Sequence, residues 1–311
     1  MASRQQLRNL MRRLDKLRSQ NFVILADGQH APDPITFAEV ILGAPLDPWQ
    51  REFMQQAIEN PRVAVAACRQ SGKSTVAGLF IAWCLLYIDG FTALVASRSL
   101  RQAAYFVDKV RDAVLALVPP TAMKTMNRLS MQLPNNSQII SIPCAQPDAG
   151  RGFSPHIFLL DEAAFAPDPL FDVIVPSLAA TGGAMHMISS PNGKVGHFFE
   201  AFEGRATDVF WTRRVTHREC PRITERTLIH DRIMLGELKY RQEYEAEFVS
   251  AEGAFFGATA MEDFMEGEDQ DLTLMDLETL TEAAMPTPVP TMGDLMHAFD
   301  RAQRVSGRFG S

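Results

Sequence analysis

The stretch VAVAACRQSGKSTVAG, Val63 to Gly78, decides how the rest of the chain is read. Its first five residues, Val63 to Ala67, form an apolar run that suits a buried strand. A turn ending in Gly72-Lys73-Ser74-Thr75 follows, and a long helix is expected from about Lys73 to Tyr87. Strand, turn and helix in that order aim backbone N–H groups and the positive end of a helix dipole at one point, which suits a phosphate. Gly72 permits close backbone approach, Lys73 offers a cation for a γ-phosphate, and Ser74 is placed to hold Mg2+ through its hydroxyl. The expected cradle is thus Arg69, Gln70, Ser71, Gly72, Lys73, Ser74 and Thr75. Two features depart from the usual pattern. Ala67 stands five residues before Gly72, where a glycine is common, and Arg69 lies inside the loop. Alanine there costs nothing if its backbone is strand-like and about 1 kcal/mol if φ must be positive.

Working outward, further strands are expected at Thr92–Ala96, His156–Leu160 and Ala184–Ile188, with a helix from about Leu100 to Leu117 capped by Ser97 or Ser99. Leu129–Leu133 and Gln138–Pro143 flank PNNS and read as a hairpin insertion. The strands are continuous apolar runs rather than alternating ones, which points to parallel strands covered on both faces and a doubly wound α/β sheet. Ligands in such sheets sit at the carboxyl ends of strands, and the polar motifs fall there. Asp161 ends one apolar run, where its carboxylate can reach a Mg2+ shell. Glu162, beside it, can orient or deprotonate an attacking water, since phosphoryl transfer rests mainly on positioning and charge stabilisation. Arg151, between two glycines in DAGRGFSPH, is a candidate finger for transition-state charge, acting within the subunit or across an interface. Arg69 has two roles open to it: contact with the γ-phosphate, or a pair with Glu162.

The bulk numbers set bounds. The 311 residues are 46% hydrophobic, enough for one large domain or two modest ones. Cys68, Cys84, Cys144 and Cys220 show no CxxC pairing, so buried reduced thiols are expected rather than a zinc site. No window approaches eighteen uncharged apolar residues, and the N-terminus lacks the apolar stretch of a signal peptide, so a soluble intracellular protein is expected. The net charge of −7 argues against a protein that coats nucleic acid, but the charge is uneven. Residues 4–20 form an expected amphipathic helix through Leu7, Leu10, Leu14 and Leu17, with a basic face that either packs or meets nucleic acid. Residues 249–290 turn acidic and then proline-rich, as a linker does.

With these motifs in order, the chain resembles the ATPase domain of the large terminase subunit of tailed bacteriophages, from about Leu46 to Phe256. LDPWQ is similar to that family's adenine motif, which implies Gln50 as base reader and Trp49 as a packing or stacking partner. CRQSGKST resembles its variant Walker A, in which an arginine lies in the loop and the first glycine is often replaced. FLLDEAAF resembles its Walker B with the catalytic glutamate, and GRGFSPH the segment that bears its finger. ISSP is similar to its coupling motif, implying Ser189, Ser190 and Pro191, and Tyr240–Phe256 resembles the close of its ATPase domain. The resemblance implies a P-loop NTPase of the RecA-like, additional-strand, catalytic-glutamate type, with a mainly parallel sheet and helices on both faces. It implies ATP and Mg2+ as cofactors. The implied activity is ATP-driven translocation of double-stranded DNA into a prohead in the host cytoplasm. Portal protein and a small terminase subunit are the implied partners, with no membrane, in a homo-oligomeric ring (a pentamer by that resemblance) whose subunit in isolation is a monomer.

The expected division is 1–45 as basic helix and lead-in, 46–250 as ATPase domain, 251–290 as linker or lid segment, and 291–311 as a tail. MHAFDRAQ in that tail resembles the start of the family's nuclease domain, with Asp300 as its first acid. A lone Asp300 holds no metal pair, so ATPase activity without cleavage is expected. Two other readings stand beside this one. A helicase-like nucleic-acid ATPase would need a second RecA-like domain for which there is no room. A non-catalytic nucleotide-binding adaptor would sit poorly with Lys73 and Glu162 both present.

Overall fold

Alternate residues of the central strands serve two separate cores, and this divides the molecule into layers. In the computed structural model, which describes residues 22–24 and 30–250, the strands are β1 (Phe22–Ile24), β2 (His30–Pro32), β3 (Arg62–Ala67), β4 (Thr92–Ser97), β5 (Thr125–Met126), β6 (Ser130–Gln132), β7 (Gln138–Pro143), β8 (Ile157–Asp161), β9 (Ala184–Ser189) and β10 (Trp211–Val215). The longer helices are α1 (Pro48–Glu59), α2 (Lys73–Tyr87), α3 (Leu100–Leu115), α4 (Asp168–Thr181), α5 (Gly196–Glu203), α6 (Glu225–Leu235) and α7 (Glu237–Tyr244). Val63, Val65, Ala93, Val95, Ile157 and Leu159 point into one core with α1, α2 and α3. Ala64, Ala66, Leu94, Ala96, Phe158 and Leu160 point into the other with α4 and α5. Strand side chains alternate between faces, so a run apolar at every position requires both faces to be covered.

The eight-stranded sheet has the order β10-β3-β9-β8-β4-β7-β6-β5. Its first six strands are parallel, and β6 and β5 extend one edge antiparallel. Strand β9 lies between β3, which carries the loop, and β8, which carries the two carboxylates, so the sheet has the additional strand that the resemblance implies. This is the expected α/β architecture: mostly parallel, with helices on both faces.

Most elements sit where the apolar pattern put them, with Ser99 as the cap of α3 through its hydroxyl and the Gln102 N–H. The expected hairpin is present, with β6 and β7 paired antiparallel on either side of PNNS, but it is part of the main sheet rather than an insertion. β7 is a full member of the sheet, paired in parallel with β4 from Thr92↔Gln138 to Ser97↔Pro143, and β6 folds back on its other edge. The reason is visible in its side chains: Ile139 enters one core while Ile142 enters the other, so β7 is buried on both faces. Edge strand β10 gave no apolar run, because three of its residues, Thr212, Arg213 and Arg214, are polar. The lead-in before α1 also joins the core through Phe37 and Ala38, and Trp83 Nε1 donates to the Pro32 carbonyl at 2.8 Å. The expected basic helix, linker and nuclease-like tail lie outside the described residues.

His186 sits at the centre of the sheet, fully buried between the rings of Phe53 and Phe80. Burial, with Arg62 nearby, pushes its imidazole down to about 4 from 6.5. The unfolded chain therefore takes up a proton that the folded chain refuses between these two values, and stability falls as pH drops through that window. His186→Leu should remove this acid-side loss, worth about 2–3 kcal/mol. Urea unfolding of both proteins at pH 7 and at pH 4.5 checks it; an unchanged difference between the two would show that His186 is not the sensor.

Candidate functional site

The loop after β3 is shaped by backbone geometry. Ala67 is the last residue of β3 and pairs with Val215, so it has strand conformation and the missing glycine costs nothing. The left-handed turns fall instead on Gln70, with φ 58°, and Gly72, with φ 88°. A Cβ at Gly72 would lie 2.7 Å from Gln50 Nε2, the movable end of a side chain, so it is the positive φ that favours glycine here. α2 starts at Lys73, which leaves its first N–H groups without intrahelical acceptors and faces them out of the helix end.

Charge converges at this point. Lys73 is buried, and its Nζ lies 3.4 Å from Glu162 Oε1. Ser74 Oγ donates to Asp161 Oδ1 at 3.1 Å. Ser189 Oγ reaches Glu162 Oε2 at 3.3 Å and also donates to the Ser190 carbonyl at 2.7 Å. Glu162 itself has φ 59°, a left-handed backbone that a non-glycine residue adopts only when its surroundings hold it there. Burial, and then the neighbouring Glu162, push the Asp161 carboxyl up to about 6, against the pull of Lys73, Ser74 and Lys109. The Ser74 hydroxyl and Asp161 carboxylate are hard oxygen donors on one side of the loop, the set that suits Mg2+ when phosphate and water complete its shell. Asp161 also lacks a full countercharge for its buried position, so the residues fit a divalent cation.

Five of the sequence candidates, Lys73, Ser74, Asp161, Glu162 and Ser189, are thus drawn into one cluster, and Ser190 and Pro191 are buried beside it on the exit of β9. Gln50 is buried against the loop. Its Oε1 accepts from the Asp47 N–H at 2.9 Å, and its Nε2 lies 3.5 Å from the Ser71 carbonyl. Trp49 is 2% exposed and sits in the core, which leaves packing rather than stacking on a base. Arg69, Gln70 and Thr75 are exposed at the mouth of the loop, whereas Ser71 is buried. Arg151 stands apart. It is exposed and pairs with Asp148 at 2.6 Å, not with the loop. Arg69 likewise makes no ion pair with Glu162, whose cation is Lys73.

Sequence reasoning missed three residues. Arg222 donates to Asp47 and to the Ser71 carbonyl across 175 and 151 positions of sequence respectively. Nothing in its local sequence signals this. Asp47 was visible as the residue before Pro48 at a helix start, a cap position. Lys109, on α3, faces Asp161 and Lys73, and desolvation lowers its pKa; only the packing of α3 over Gly78 brings it there. The four cysteines are free and buried.

No family model matches the chain. Among curated proteins it is similar to the terminase large subunit of Escherichia phage T5, 27% identical over 64% of this chain and 47% of that one. It is also similar to the terminase large subunit of Thermus phage G20c, 26% identical over 62% of this chain and 47% of the relative. The chain spans about half the length of these curated relatives. Among solved structures, the large terminase ATPase domain of Thermus phage P74-26 matches with a TM-score of 0.59 at 23% identity, over 68% of this chain and 97% of that domain. The large terminase of a thermophilic bacteriophage in complex with ADP matches with a TM-score of 0.55 at 10% identity, over 66% of this chain and 54% of that one. These structural likenesses concern the fold. In sequence and in fold together, the chain resembles the ATPase domain of the large terminase subunit of tailed bacteriophages.

Proposed function

We propose that the chain is the ATP-hydrolysing motor part of a viral terminase, driving double-stranded DNA into a prohead in the host cytoplasm. The observation that carries this reading is the cluster Lys73, Ser74, Asp161, Glu162 and Ser189 at the carboxyl edge of the sheet. A bound Mg2+ would neutralise phosphate charge and polarise the γ-phosphoryl group. Ser74 and Asp161 would hold it. Lys73, paired with Glu162 in this state, would turn to the γ-phosphate and leave Glu162 free to orient water. Ser189 would keep Glu162 aimed, and its bond to the Ser190 carbonyl would pass a change at Glu162 into Ser190 and Pro191 at the end of β9. Gln50 would read the base edge. Arg69, Gln70, Ser71, Gly72 and Thr75 would line the phosphate path.

Arg151, exposed and tied only to an exposed aspartate, suits a finger presented to a neighbouring subunit. That reading includes a homo-oligomeric ring on a portal protein, served by a small terminase subunit. No helix among the described residues is long and apolar enough to cross a membrane.

Glu162→Gln should bind ATP within a few-fold of the parent and lose turnover by about 10²–10⁴-fold, the range for a positioned base. A variant that hydrolyses at the parental rate removes Glu162 from the role, and a parent that binds without turnover favours an adaptor. Arg151→Ala should lose hydrolysis far more than binding and recover part of it when mixed with Glu162→Gln subunits; no recovery puts the finger in its own subunit. Asp161→Asn should raise the unfolding temperature of nucleotide-free protein at pH 7 by a few degrees, because it removes a desolvated charge worth about 1–3 kcal/mol. The same variant should lose Mg2+-dependent turnover. A lowered unfolding temperature would show that Lys73 and Lys109 already compensate the charge.

A further inference from the structure

We infer that Arg222 is a positioning residue for the phosphate loop, fixing the Ser71–Gly72 peptide so that the Gly72 N–H faces the phosphate; this rests on the ATPase reading. A single guanidinium sets the geometry. Its Nη2 donates to Asp47 Oδ2 at 2.6 Å and to the Ser71 carbonyl at 2.9 Å, while Nη1 donates to Asp47 Oδ1 at 3.1 Å. The paired bonds to Asp47 lock the plane of the fork. Asp47 is itself held, as the cap of α1, through its N–H to Gln50 Oε1 at 2.9 Å. The carbonyl of Ser71 is therefore drawn to a fixed point on the α1 side of the loop.

A peptide unit is planar and trans, so its C=O and N–H point to opposite sides. No cis peptide bond occurs among the described residues. Anchoring the Ser71 carbonyl toward Arg222 thus turns the Gly72 N–H the other way, away from α1. Gly72 is the residue whose φ of 88° ends the turn, immediately before Lys73. A Cβ at position 72 would lie 2.7 Å from Gln50 Nε2 and in ordinary contact, at 3.4 Å, with Arg222 Nη2, so both side chains close over this turn. Lysine in place of Arg222 could satisfy the carboxylate or the carbonyl but has no rigid fork for both.

The rest of the loop is gripped from the same part of the chain. Cys68 N–H donates to the Val215 carbonyl at 2.9 Å, and Arg69 N–H donates to the Glu243 carbonyl at 2.7 Å. Cys68 Sγ lies 3.7 Å from Cys220 Sγ. These contacts hold the first half of the loop. Among the described residues after β10, Arg222 is the side chain that carries the grip on to the glycine-lysine turn. Its side chain is half exposed, so its removal leaves no large cavity.

The experiment compares calorimetric binding of Mg2+-ATP and Mg2+-tripolyphosphate, which has no base, to the full chain and to Arg222→Ala, each below its unfolding temperature. Loss of a positioning residue for the phosphate loop should weaken both ligands by the same factor, about ten- to a hundredfold. Arg222→Lys should recover only part of it, and Asp47→Asn should weaken both ligands as well. Weaker ATP with unchanged tripolyphosphate would assign Arg222 to the base and overturn the inference. So would unchanged binding of both. If Arg222→Ala fails to fold, Arg222→Lys and Asp47→Asn carry the same comparison. A parent chain that binds neither ligand would defeat the ATPase reading itself, and this inference with it.

Discussion

The placement of a buried lysine at the start of α2 against a buried and a half-buried carboxylate at the end of β8 is the constraint on which the rest of the structure depends. Such a cluster is a poor source of stability, because desolvation costs as much as the attraction returns. Asp161 shows the cost directly in its raised pKa. The fold holds the group together all the same: β9 separates β3 from β8, the first turn of α2 supplies Lys73 and Ser74, and Ser189 at the end of β9 steadies Glu162. A site that spends stability in this way is expected where charge is to be exchanged with a ligand.

The loop between these strands has little structure of its own. Glycine and positive φ give it shape, and neighbours hold that shape. On one side α1 presents Gln50 and Asp47; on the other, β10 and the segments after it present the carbonyls of Val215 and Glu243 and the guanidinium of Arg222. The loop after β3 is therefore a junction between α1 and the segments that follow β10. The segments from β10 onward thus bear directly on the backbone of Cys68, Arg69 and Ser71.

Much of this was legible before the structure. The buried strands announced themselves because both faces are covered and every residue is apolar, and the polar motifs at their ends, expected on the carboxyl edge of the sheet, bring Lys73, Ser74, Asp161, Glu162 and Ser189 together. Ala67 was legible as an oddity, and its strand conformation removes the difficulty. The β6–β7 hairpin was legible from PNNS, whereas the place of β7 in the main sheet was not, because a tight turn looks the same whether the strand beyond it is an edge or a member of the sheet. Arg222 and Lys109 were invisible, since each reaches the site through packing across long stretches of sequence. Arg151 was picked out by its glycines, but its exposed position beside Asp148 depends on what stands next to the subunit, which no local pattern encodes.

The most direct test of the central claim is steady-state ATP hydrolysis by the purified chain with Mg2+, over a range of protein concentration, with and without double-stranded DNA. A motor completed by assembly predicts a rate per subunit that rises with concentration or with DNA. Tight ATP binding with no turnover under any of these conditions would contradict the account and leave a nucleotide-binding adaptor in its place.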